Sequence, residues 1–144
     1  MTRNLIVTIS VAMASLAVGP GGCGGDPRSP FVDYTSRVKQ MIEVEGRVDE
    51  AITFLEERSR QFPRAAPTWY WLGIAYFKKA QYEQAVNAMD RAFSSDLPKL
   101  SQAWYATAYD FRGWAHYHRG NHQAALADFD GAVPLLERAL AQMQ

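Results

Sequence analysis

Trp69 to Leu97 reads WYWLGIAYFKKAQYEQAVNAMDRAFSSDL, and its spacing sets the fold class. Trp69, Leu72, Gly73 and Tyr76 fall on one face of a helix, and Ala85, Met89 and Ala92 on one face of a second. Ala80 and Gln81 fall in the turn between them. Gly73, Ala85 and Ala92 have little bulk, so the two helix backbones can approach closely there. Trp69, Leu72, Tyr76 and Met89 fill the space beside them. A hairpin of this kind cannot bury its apolar face alone, so neighbours of the same kind are expected on either side.

The pattern resembles the tetratricopeptide repeat, a helix–turn–helix of about 34 residues whose signature runs aromatic, Leu-Gly, Tyr, then Ala, a large residue and Ala. A register shifted back by 34 residues puts Ala51 at Ala85, with Gly46 in the turn, Leu55 at the large core position and Pro63 at the closing proline. The match is weaker in that repeat's first helix, where Val38 and Ile42 keep the spacing but Thr35 and Lys39 replace the aromatic and the glycine. A forward shift of 40 residues aligns Ala125, Phe129 and Ala132 with Ala85, Met89 and Ala92. Gly113 then matches Gly73, Gly120 is the turn glycine, and Arg112 faces Asp128 across the hairpin as a structural ion pair.

The resemblance implies an all-α solenoid of three repeats at about 32–65, 66–99 and 106–139, followed by a closing helical segment, in a domain spanning 32–144. The six extra residues Leu100 to Tyr105 extend the first helix of the third repeat back toward Pro98. That adds roughly 9 Å, an overhang offering Leu100 and Trp104 as contacts. Pro134 interrupts the last helix, since its ring clashes with the preceding turn.

The N-terminus differs in character. Arg3 precedes an uncharged run, Leu5 to Val18, too short to span a bilayer but suited to the core of a secretory signal. Gly19 to Gly25, with Cys23 at its centre, ends any helix. A cysteine after such a run resembles a bacterial lipoprotein signal, which implies a signal at 1–22, lipidation of Cys23 and a tether over 23–31. Gly22 fits the residue before the cut; Pro20 departs from the usual Leu three residues before the cysteine. Ordinary signal cleavage and an uncleaved or non-secreted chain stand as the alternatives. Lipoprotein processing places the domain in the bacterial envelope, anchored through lipid and facing the periplasm or exterior; ordinary cleavage makes it secreted. Stable anchoring takes two acyl chains.

In this family the first helices line a concave groove that takes a peptide or a partner helix. The corresponding positions are Ser36, Gln40 and Glu43, then Tyr70, Ile74, Phe77 and Lys78, then Asp110, Trp114, Tyr117 and His118. The middle and later groove is therefore aromatic, and buried aromatics are the usual anchors of protein interfaces. The same rings could instead pack on one another within a tightly curved stack. Tyr70 and Ile74 stand where chaperone-type repeats carry the Lys and Asn that clamp a carboxylate, so an apolar or aromatic ligand is implied rather than an acidic tail.

Other chemistry finds little support. With 15 basic and 15 acidic residues and no basic run, the chain has no electrostatic footprint for nucleic acid. A single cysteine excludes an internal disulfide or a multi-thiolate site. His116, His118 and His122 point in diverging directions in the repeat register, so no metal site is expected. No nucleophile elbow or phosphate loop is present, and neither a cofactor nor a catalytic residue is assigned. The expectation is a non-enzymatic, extracytoplasmic protein-interaction module. Comparable lipoproteins are scaffolds or assembly factors for outer-membrane proteins, pili or secretion systems. Two alternatives remain. One is a structural subunit whose aromatic face serves self-association or internal packing; the other is a metal-dependent or hydrolytic enzyme using His118 and Asp110.

Overall fold

The computed structural model describes residues 30–95 and 100–143. These form six helices and no strand: α1 (Pro30–Glu43), α2 (Val48–Gln61), α3 (Ala66–Lys78), α4 (Tyr82–Ser94), α5 (Gln102–His118) and α6 (His122–Ala141). Helices pair within hairpins as α1–α2, α3–α4 and α5–α6. Neighbouring hairpins join through α2–α3 and α4–α5, while α1, α3 and α5 run side by side along one face. This is an all-α, tetratricopeptide-like solenoid. Among the described residues no helix is long and apolar enough to cross a membrane.

Each hairpin turns by the same device. Two or three residues past the end of the first helix the backbone adopts the left-handed conformation, at Gly46 (φ 66°), Ala80 (φ 58°) and Gly120 (φ 79°). The next N–H then reaches back to close the helix end: Arg47 N to Met41 O at 2.8 Å, Gln81 N to Tyr76 O at 2.9 Å, Asn121 N to His116 O at 2.9 Å. These bonds satisfy carbonyls that a helix end leaves without donors. The middle repeat makes the turn with alanine, whose Cβ is disfavoured there.

Small residues set the closeness of each hairpin. Ala51, Ala85 and Ala125 are buried at matching positions of the second helices. At Gly73 the space a side chain would need is filled by Met89: a Cβ there would lie 2.7 Å from Met89 Cε and 2.9 Å from its Cγ. At Gly113 the ring of Phe129 fills the same place, 2.8 Å from a would-be Cβ. The glycines thus seat a large side chain from the facing helix, rather than only letting two backbones approach.

α5 begins at Gln102, capped by Ser101, whose side chain accepts from the Trp104 N–H at 3.3 Å. Its start differs from the expected one near Pro98, which lies outside the described residues. α5 has 17 residues against 13 in α3, one extra turn of about 6 Å. α6 continues through Pro134 to Ala141 as one helix of 20 residues.

Two stability measurements follow. Ala80→Gly should raise stability by about 1 kcal/mol, by removing left-handed strain from a residue with a Cβ. Gly73→Ala should lower it by about 1–3 kcal/mol despite alanine's better helix propensity, because Met89 must move. Urea denaturation of each variant checks both; a neutral Gly73→Ala would mean that Met89 repacks without cost.

Candidate partner-binding groove

The first-helix row is where the expected groove residues lie, and its depth is largely filled. Tyr70 is only 3% exposed and Ile74 is likewise buried. The extra first turn of α5 does the filling. Trp104 stacks on Tyr70 with ring centroids 4.7 Å apart and meets Trp71 edge-on at 6.0 Å. Tyr105, on the same turn, stacks on Phe93 of α4 at 6.0 Å. Leu100 is buried in the main core, and Trp104 packs against it. The expected overhang is therefore not one: the added turn folds down onto α3 and α4, because its aromatic side chains bury more surface there than they would in water. Asp110 is buried as well. Tyr70, Ile74, Asp110 and Leu100 present no open surface to a partner.

The other end of the row is open. Lys78, Tyr117 and His118 are exposed, and Phe77 and Trp114 are half-buried beside them. His118 stacks on Tyr82 at 4.6 Å. Phe77 meets Phe111 edge-on at 5.2 Å, and Trp114 meets Tyr117 at 5.6 Å and Phe129 at 5.3 Å. Tyr117 touches His122 at 5.1 Å. The rings prop one another at fixed angles, giving a ledge of aromatic edges with a lysine at its rim.

Beneath it lies the network that positions α5. Arg112 donates from Nε to Asp128 Oδ2 at 2.9 Å and from Nη2 to Asp128 Oδ1 at 2.6 Å, the ion pair expected from the sequence. Its Nη1 also donates to Asp90 of α4 at 2.6 Å, a contact the sequence reading missed. One guanidinium thus ties its own hairpin and the preceding one. Burial opposes its charge, but the two carboxylates outweigh that and hold its pKa above the ordinary arginine value. The guanidinium also lies 4.5 Å from the centre of the Phe93 ring. One repeat earlier, Tyr76 donates to Glu56 of α2 at 2.6 Å. Burial, reinforced by that carboxylate, raises the Tyr76 pKa. Asp90 and Glu56 stand at the same repeat position, which a comparison of the two second helices could have flagged.

The three histidines have different surroundings. His116 points inward, its Nε2 3.9 Å from Asp128, while exposed His118 stacks on Tyr82 and exposed His122 meets Tyr117 edge-on. Among the described residues no group of three or more His, Cys, Asp or Glu is placed to hold a metal ion. Cys23, the signal segment and most of the tether lie outside the described residues.

The architecture defines the class: a stack of helical hairpins with a row of first helices on one face. Residues 66–97 match the tetratricopeptide repeat family model, spanning α3 and α4. Among curated proteins nothing matches the chain. The repeat and the hairpin stack together support a tetratricopeptide-repeat protein, and such repeats are generally non-enzymatic modules for protein–protein interaction.

Burial raises the pKa of Tyr34, Tyr70 and Tyr76. A raised folded-state value means full stabilisation below about pH 10 and loss as pH rises above it. Denaturation at pH 9 and pH 11 should show a marked fall for the wild type and a smaller fall for Tyr70→Phe. Arg112→Ala should destabilise by about 3–5 kcal/mol, because it strands the buried Asp128. Asp90→Asn should cost under about 1 kcal/mol, since Asp90 is exposed. A cycle pairing Arg112→Ala with Asp128→Ala should show coupling of about 1–3 kcal/mol.

Proposed function

We propose that the chain is an extracytoplasmic interaction module of the bacterial envelope, anchored through lipid on Cys23, that holds a peptide or partner helix on the open ledge of its first-helix row. The ledge comprises Phe77, Lys78, Trp114, Tyr117 and His118. The observation that carries this reading is the uncovered set of mutually braced rings at one end of the row. Stacked and edge-on rings are held before any ligand arrives, so little side-chain entropy is lost on binding. A partner segment with aromatic or aliphatic side chains fits that surface, and Lys78 can take a carbonyl or a carboxylate at its rim. A role as scaffold or assembly factor follows from such binding near a membrane.

The internal-packing alternative accounts for the other end of the row, where Trp104 covers Tyr70. It does not account for Tyr117 and His118, which remain exposed.

The test is affinity capture from envelope extract of the source cell. The bait is the wild-type chain, and the control carries Lys78→Glu, Tyr117→Ser and His118→Ser. All three positions are exposed, so the control should fold. A partner held by the wild type and lost by the control is the expected result; equal capture by both would move the site off the ledge. Separately, Cys23→Ser should shift the protein from the membrane to the soluble fraction and abolish incorporation of labelled fatty acid.

A further inference from the structure

Leu126, Val133 and Leu140 recur at seven-residue spacing on α6, and they are 61%, 48% and 47% exposed. On a helix they form one stripe about 21 Å long. Half-buried Phe129 and Leu136 border it, and exposed Met143 extends it.

The repeat register says what this stripe is built to do. Leu126 corresponds to Val86 of α4, which is 6% exposed and clusters with Ala115 of α5. Val133 corresponds to Phe93, which packs on Tyr105 and Tyr109 of α5 at 6.0 Å and 4.5 Å. These are the residues on which the following first helix rests in the middle of the stack. On α6 nothing among the described residues covers them.

A polar contact repeats with the apolar one. Glu56 on α2 accepts from Tyr76 of α3, and Asp90 on α4 accepts from Arg112 of α5. The equivalent residue on α6 is Asp130, which is exposed and has no donor among the described residues. Pro134, inside α6, has no N–H to give the Asp130 carbonyl four residues earlier. Asp130 therefore offers a free carboxylate and a carbonyl without its usual helical donor, at the edge of the stripe. That pair of acceptors suits a group with several N–H donors.

We propose that the outer face of α6 docks one amphipathic helix of a partner protein, with an arginine or lysine at the edge of its apolar stripe to meet Asp130. The helix seats on Leu126 and Val133 as α5 seats on Val86 and Phe93 of α4, and Leu140 extends the surface. This surface is separate from the aromatic ledge, and its occupancy does not depend on it. A second copy of the chain fits poorly. Two α6 helices paired antiparallel about Val133 would set Asp130 of each beside Glu137 of the other, like charges on both flanks. A head-to-tail copy would present α1, whose apolar stripe of Val38, Met41 and Ile42 is already buried and whose exposed positions include Ser36, Arg37 and Gln40.

The probe is a labelled synthetic peptide with the α5 sequence, Gln102–His118, which carries both the apolar stripe and Arg112. Fluorescence anisotropy with the full chain should show saturable binding. Asp130→Asn in the protein, or replacement of the peptide's arginine by glutamine, should each weaken it roughly tenfold, and both together little further. Leu126→Asp with Val133→Asp should abolish it while the circular dichroism of the protein stays unchanged. Absence of peptide binding, or binding indifferent to the Leu126 and Val133 changes, would overturn the proposal. So would tighter binding of a peptide of residues 3–18, which would give the face to the chain's own N-terminal segment. Sedimentation showing a wild-type dimer dissolved by Val133→Asp would overturn it in favour of a second copy.

Discussion

The contact on which this fold depends is the one between a second helix and the first helix that follows it. A two-helix hairpin has apolar side chains on more faces than its own pairing can cover. α3 shows the consequence: nine of its positions, from Ala66 to Ala75, are buried, because α1, α2, α4 and α5 all rest on it. Such a helix is apolar nearly all round and is stable only inside a stack. The polar bridges Glu56–Tyr76 and Asp90–Arg112 sit within these junctions. They favour one register, since a misplaced neighbour would forfeit the Tyr76 bond to Glu56 and one of the two carboxylates that Arg112 meets.

Arg112 serves two junctions at once, and this gives the third hairpin a different mechanical status from the first. Its fork closes on Asp128 within α5–α6, and its remaining arm reaches Asp90 on α4. The extra turn of α5 adds Trp104 over Tyr70 and Tyr105 over Phe93. The third repeat is thus clamped to the second by a polar bridge near the middle of α5 and by aromatic stacking at its start. A groove that would otherwise run along all three first helices is closed at one end by the chain itself. What remains open lies toward the carboxyl ends of α3 and α5, where Phe77, Trp114 and Tyr117 brace one another.

The fold was legible because it is local. Ala51, Ala85 and Ala125, the turn residues Gly46, Ala80 and Gly120, and the Arg112–Asp128 pair each depend on spacing within one hairpin or on a repeat period, and both can be counted along the chain. The groove was half legible, for a physical reason. Register places a residue on a face but does not say whether another side chain covers that face. Tyr70 and Ile74 do lie on the first-helix row; Trp104 covers Tyr70 because Ser101 caps α5 and sets its first turn. An insertion of six residues reads equally well as an overhang or as a turn folded inward. The contacts of Trp104 and Tyr105 decide it, and those lie more than a dozen residues back along the chain except for Phe93.

The two ends of the stack present different problems, and the chain handles them differently. At the first end, α1 keeps Val38 and Ile42 inside and turns Ser36, Arg37 and Gln40 to water. Tyr34 reaches across to Thr68 at 2.9 Å, and Arg58 lies 4.0 Å from the centre of its ring. The exposed positions of α1 named here are polar. At the other end, α6 carries Leu126 and Val133 into solvent at the positions that serve as a junction one repeat earlier, and Leu140 lies exposed beyond them. Each of these residues is about half exposed and so forgoes on the order of half the roughly 1.5–3 kcal/mol that full burial of such a side chain supplies. A junction surface standing in water gains by being covered, and the carboxylate of Asp130 calls for donors rather than acceptors on whatever covers it.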